Sequence, residues 1–486
     1  MKRPGSSTPT STRSGPARWH GHSRPAPLSV RFAPIPARPR SSASNPTKDD
    51  QCGPTHSSPV RPSEPAAQKP PTTWLVKETK LFAQLGEDDD VQQLISAKQV
   101  LIGPAQQRIQ DGAVLVQDDT ILAVGPRHHV EQRADTQARR RDFPNSTVLP
   151  GLINSHVHLS FDTSPQFLDT VQQTKDADLL LGMAGRAQRA LAHGITTVRD
   201  LGDRGGLSIR LRDAITRNDL PGPRILAAAA PLTIPDGHCH FLGGTVSGEA
   251  EIRQLVQHNA RLGADVIKVM ASGGQITPSS PPMWASQFTA TELAIIVEEA
   301  SQLGLPVAAH AHGTEAIAAS VAAGVSTVEH CSWQSANGPD RRDDVAKQMA
   351  EKGIYACTAL SGNWRSIMER LGPEGTEAMY GRLVWLAELG VPLIIGTDAG
   401  LPGSWFDDFV GTMELFEYLG FPNDRTIDMA TTISATALGI TDHVGRLQPG
   451  YSADLIVVDG DPLTCLAHLR HPQLVLARGR EFHSEN

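Results

Sequence analysis

"FTATELAIIVEEASQLGLPVAAHAHG", residues 288–313, is the stretch on which the fold turns. Thr289 and Glu292 stand at the spacing of a capping box, in which threonine accepts from the third amide of the helix and glutamate reaches back to the N-cap amide. Leu293, Ile296, Val297, Ala300 and Leu303 then recur at helical spacing and make one apolar face, and Gly304 stops the helix. The apolar run at 307–312 reads as a buried strand that ends in histidines. A second helix is expected from Thr314 to Ala323, closed by Gly324, and a further strand at 325–330. Strand and helix alternate.

The same texture extends in both directions. "GIYACTAL" (353–360) and "GVPLIIGTDAG" (390–400) are two more buried strands, each preceded by helical sequence. About eight such units are expected between 149 and 440, giving an α/β chain that closes into a (β/α)8 TIM barrel or opens as a doubly wound sheet. On either side the pattern is strand-like. "AKQVLIG" (97–103) is followed by "GAVLVQDDTILAVGP" (112–126), whose Asp-Asp pair between apolar runs predicts a hairpin. "GRLQPGYSADLIVVDGDP" (445–462) returns to short β-runs, so 97–148 and 441–482 are expected to build one small β-domain from both flanks of the barrel.

Residues 1–71 are unlike the rest. They hold 15 of the 36 prolines and nine Lys/Arg before the first acidic residue, Asp49, and a disordered tail outside the fold is expected. The formal net charge of −8 gives no reason to expect nucleic acid or an anionic membrane as partner. No apolar run approaches the roughly 18–20 residues of a membrane span. Five scattered cysteines without a CxxC pair indicate neither a disulfide framework nor a thiolate zinc site, and a cytoplasmic protein is expected.

The chemistry gathers at strand ends. Period-two alternation aims His156 and His158 of "HVH" at one point, as a metal would require. His310 of "AAHAHG", His330 of "VEHCSW" and Asp398 of "GTDAG" each end a separate buried strand, and in a barrel all such ends converge on one mouth. His312 lies on the same face as His310 and should reach the mouth without ligating, to meet a substrate carboxylate or carbonyl. His238 and His240 of "PDGHCHFLGG" sit on a Gly-rich loop expected over the site, and Trp284 and Trp333 either wall the pocket or simply pack. Lys268 of "VIKVMASGG" (266–274) shares an inward face with Val266 and Met270. A buried ammonium must be paired or neutralised. Two readings stand open: a structural salt bridge, or an amine that takes up carbon dioxide and becomes a metal-bridging carbamate.

Taken in this order, "HVH", "VIKVMASGG", "HAHG", "EHCSW" and "GTDAG" resemble the amidohydrolase superfamily over about residues 97–480, in particular the branch of X-Pro dipeptidases, ochratoxinase-type amidases and imidazolonepropionase-like proteins. The resemblance implies a TIM barrel with a small β-sandwich and two divalent ions, zinc foremost given nitrogen and oxygen ligands without thiolate. It implies that His156, His158 and Asp398 hold one ion, that His310 and His330 hold the other, and that carboxylated Lys268 bridges them. Asp398 is then the catalytic proton carrier and His238 a substrate contact. The implied activity is hydrolysis of an amide C–N bond in a small substrate such as a dipeptide or N-acyl amino acid, by a hydroxide that bridges the metals. An imidazolonepropionase-like cyclic-amide hydrolase is the alternative, with one metal and no bridging lysine. Relatives of this kind are often homo-oligomers.

Overall fold

The computed structural model describes residues 91–482; the expectation for 1–71 lies outside the described residues. Four strands come first: β1 (Gln93–Leu101), β2 (Arg108–Gln117), β3 (Thr120–Pro126) and β4 (Arg139–Pro150). The expected hairpin is β2–β3, and Asp118 takes positive φ at its turn. Eight barrel strands and one short hairpin strand follow: β5 (Leu152–Val157), β6 (Ile195–Asp200), β7 (Arg224–Ala227), β8 (Ile267–Met270), β9 (Val307–Gly313), β10 (Thr327–Ser335), β11 (Gly338–Pro339), β12 (Tyr355–Cys357) and β13 (Leu393–Ile394). The chain ends in β14 (Leu455–Asp459), β15 (Pro472–Ala477) and β16 (Arg480–Glu481).

The parallel strands run β5-β6-β7 and β8-β9-β10-β12-β13, with β11 hairpinned onto β10. Backbone bonds then join the two sets at both edges. Leu232 N donates to Lys268 O and Met270 N to Leu232 O, which fastens the segment after β7 to β8. Ser155 N donates to Ile395 O and His158 N to Ala399 O, which fastens β5 to β13. The ring is closed, so the barrel and not the open sheet is realised.

The unit at 288–313 folds as its sequence dictates except at Leu303, which was expected on the apolar face and instead lies exposed at the helix C-cap, where the chain turns away from the core. Helix Ala290–Gln302 carries the full reciprocal capping box of Thr289 and Glu292, and buries Leu293, Ile296 and Ala300. Gly304 follows in the left-handed region (φ 73°), where a side chain would be strained.

The flanking strands form one seven-stranded sheet in the order β16-β15-β14-β4-β1-β2-β3. It wraps as a sandwich around Ile95, Val100, Val114, Val116, Ile121, Val148, Leu455, Val457 and Leu476, drawn from both ends of the chain. Only Gly151 separates β4 from β5, so the sandwich feeds directly into the strand that carries His156.

Candidate metal centre

Strand alternation does what the sequence promised at β5. His156 and His158 point inward with their Nε2 atoms 3.4 Å apart, and each lies 3.3 Å from Asp398 Oδ1. Asn154 ties the two elements together: its amide donates to Thr397 Oγ1 (2.7 Å) and its carbonyl accepts from Thr397 N (3.2 Å). The approach is close enough to demand glycine at 396, where a Cβ would stand 2.5 Å from that of His156. Asp398 itself has φ 58°, an uncommon conformation for a non-glycine residue that re-aims its carboxylate towards the histidines. Burial opposes its charge, yet His156 and His158 outweigh burial and hold the carboxyl well below the usual range.

A second set lies alongside. Donor atoms of His310, His312 and His330 fall within 4.8 Å of one another, as do those of His156, His158 and Asp398. The His310 and His330 rings are 4.6 Å apart, and the His156 ring is 5.2 Å from that of His330, so the two sets are neighbours. Burial keeps His310 and His330 well below their ordinary pKa, which leaves their nitrogen lone pairs free for a cation at neutral pH.

Lys268 is 1% exposed, and its Nζ has no hydrogen-bond or ion-pair partner among the described residues. The structural salt bridge is therefore absent there. Burial lowers its pKa, with the negative charge of Glu329 working the other way. Glu329 is itself a residue that strand alternation hides. It accepts from Arg199 Nη2 (2.8 Å) and lies 2.8 Å from His156 Nδ1, which turns Nε2 of that imidazole towards Asp398. Burial opposes the Glu329 charge as well, and Arg199 and His156 overcome it. The signals were a glutamate inside "TVEHC" and an Arg-Asp pair inside "TTVRDLG", charges in otherwise buried strands. By alternation Glu329 and His330 should face opposite ways; φ of 62° at His330 brings both into the barrel.

His238 does not sit on an open loop. It is buried, its ring is 4.6 Å from that of His310, and its amide donates to Gln287 Oε1 (2.6 Å), whose Nε2 donates to Met270 O. Burial lowers its pKa to about 4, so it is neutral at neutral pH. Gly274 leaves room for it, since a Cβ there would meet the His238 ring at 2.3 Å. His240 turns away and its Nδ1 lies 3.0 Å from Gly237 O. The His312 ring stacks on that of His330 at 4.4 Å, so it joins the cluster as well as reaching the mouth. Trp284 is 44% exposed on the loop after β8, whereas Trp333 is fully buried against Trp385 and is packing, not pocket wall.

An unpartnered buried amine beside two sets of imidazole and carboxylate donors fits a pair of divalent cations with an anion between them. A barrel mouth so equipped is that of a hydrolase acting on C–N bonds. The chain belongs to the amidohydrolase family, whose model matches residues 147–480. It is 27% identical over 435 residues to an ochratoxinase of Aspergillus niger, covering 80% of this chain and 86% of that one. It is 28% identical over 386 residues to an imidazolonepropionase of Symbiobacterium thermophilum, covering 72% of this chain and 84% of that one. Among solved structures, a Xaa-Pro dipeptidase with methionine bound in its active site superposes with a TM-score of 0.70 at 26% identity, covering 81% of this chain and all of that one.

Proposed function

We propose that the chain hydrolyses the amide bond of a small substrate, a dipeptide or an N-acyl amino acid, with two divalent ions, zinc foremost. His156, His158 and Asp398 would hold one ion and His310 and His330 the other, with a carbamate on Lys268 between them. The observation that carries this reading is the Lys268 amine: buried, without an acceptor among the described residues, and lowered in pKa towards the neutral form that reacts with carbon dioxide. When bound, such ions supply an activated water near neutral pH and polarise the scissile carbonyl. The protein's own groups do the rest. Asp398, held ionised, takes the proton of the attacking water and delivers it to the leaving amine. His238, neutral and buried beside His310, would donate to the substrate carbonyl oxygen, and His312, also packed against His310, would meet another part of the substrate. Glu329 and Arg199 fix the orientation of His156.

The cyclic-amide alternative has the imidazolonepropionase relative in its favour and Lys268 against it. Metal analysis separates the two: about two equivalents per chain for the dinuclear reading and about one for the other. Lys268→Ala should lose both bound metal and activity, and millimolar propionate should restore part of each by placing a carboxylate where the carbamate stood. Full metal retention in that variant would remove the carbamate from the mechanism. A library of dipeptides and N-acyl amino acids then identifies the substrate.

A further inference from the structure

A cavity of about 250 Å³ lies one layer of side chains behind the candidate metal centre, and none of its lining residues is a candidate ligand. Helix Gly248–Leu262 contributes Leu255, His258 and Asn259, the turn before helix Leu207–Thr216 contributes Arg204, and the short turn His240–Leu242 contributes Phe241 and Leu242. Two contacts tie that short turn to the centre. The Phe241 ring is 6.3 Å from that of Phe161, which stacks on His158 at 4.8 Å. The same turn follows directly on His238, whose ring is 4.6 Å from that of His310. The backbone between is tightly wound: Cys239 and Gly243 take positive φ (59° and 87°), Leu242 N donates to Cys239 O and Gly243 N to His240 O. Towards the barrel, Cys239 N donates to Thr277 Oγ1 (2.9 Å) and His238 N to Gln287 Oε1 (2.6 Å). Phe241 and Leu242 face the cavity.

The lining selects a kind of ligand. Arg204 brings a stem and no free charge, because its guanidinium is spent on the carbonyls of Val171, Gln172 and Thr174 and on the Asp176 carboxylate. Phe241, Leu242 and Leu255 are apolar walls, and His258 stands at the exposed rim. Asn259 is fully buried; its Nδ2 donates to Ala230 O (2.7 Å), and its Oδ1 has no donor among the described residues. An unpaired buried acceptor costs free energy that one N–H or O–H would recover. The volume is below the ~300–1,000 Å³ of drug-sized sites, so the occupant is a one-ring or fused two-ring molecule.

We propose that this cavity is a regulatory site for a small neutral aromatic molecule with one N–H or O–H donor, which braces the 237–243 turn and keeps His238 against His310. Its effect on turnover rests on the amide-hydrolase reading; the binding does not.

The test uses metal-loaded full-length protein with indole as probe and benzofuran as its counterpart of the same shape without the donor, affinities being measured by titration calorimetry. Indole should bind about tenfold more tightly than benzofuran. Leu255→Trp, which fills the cavity, should abolish indole binding, and Asn259→Leu should erase the preference for indole. In protein with ¹⁵N-labelled histidine, indole should shift the imidazole resonance of His238, identified by its loss in His238→Gln. Saturating indole should raise kcat/KM by about fivefold in wild type and leave Leu255→Trp unmoved. Absence of indole binding, equal affinity for the two probes, or binding undiminished in Leu255→Trp would overturn the site. If Leu255→Trp fails to fold, the wild-type comparison and Asn259→Leu still decide. Bound indole that moves neither the His238 resonance nor the rate overturns the regulatory role. Failure of the hydrolytic reading looks different: the His238 resonance would respond to indole in a protein that cleaves no amide.

Discussion

The sandwich and the barrel mouth are built by opposite rules. In the sandwich core local preference agrees with the fold: Ile95, Val114, Val116, Val148 and Val457 are β-branched, are paired across neighbouring strands and are sealed from water. At the mouth the local rules are broken one after another. His330, Cys331, Trp333 and Asp398 take positive φ, Lys268 and His238 hold buried nitrogens without partners among the described residues, and a glutamate-arginine pair lies inside the barrel. The difference teaches where selection acted for stability and where it accepted instability for chemistry.

The sharpest way to break this contrast is at Asp398. Asp398→Asn should preserve the circular dichroism spectrum and melting temperature while turnover falls by about 1,000-fold or more, roughly 4 kcal/mol in barrier height. Activity within tenfold of wild type would show that the carboxylate carries no proton. In the sandwich the outcome should be reversed. Ile95→Ala removes a fully buried side chain and should lower unfolding free energy by about 2–4 kcal/mol, read by urea titration, with kcat/KM unchanged below the transition. An activity loss without a stability loss would mean that the sandwich takes part in catalysis. The smallest expected effect has the opposite sign. In metal-free protein, Lys268→Met replaces an amine that has no partner among the described residues with an apolar chain of similar length and should raise stability by about 1–2 kcal/mol, while the variant supplied with metal should stay inactive. A destabilised Lys268→Met apoprotein would show that the amine has a structural partner after all.

How much of this was legible in the sequence follows the same division. The capping box, the left-handed glycine after its helix and the β2–β3 hairpin are local, and period and turn chemistry reveal them. The inward pair His156 and His158 was legible for the same reason, because alternation alone decides it. Closure of the barrel was not, since it depends on hydrogen bonds such as Ser155 to Ile395 between segments far apart in the chain. Glu329 was missed because alternation sets it opposite His330, and only the reversed φ at His330 brings both inward. Arg382, in helix Trp364–Glu388 and 5% exposed, was hidden for another reason: an arginine in a helix reads as a solvated charge, and only tertiary packing decides its burial. Trp333 itself, an aromatic near a strand end, could not be sorted into wall or packing until Trp385 was seen to cover it.

The shared authorship of the sandwich also sets a timetable for making the protein. β4 pairs through Pro150 with Leu455 of β14, a partner synthesised about 300 residues later. At about 5–20 residues per second, the ribosome takes roughly 15–60 s to deliver it. Throughout that interval the apolar face of β4 and its open edge, lying next to the already paired β1, have no native cover. The nascent chain therefore carries an unfinished sheet with an open, apolar edge for most of its synthesis, until the last β-run emerges.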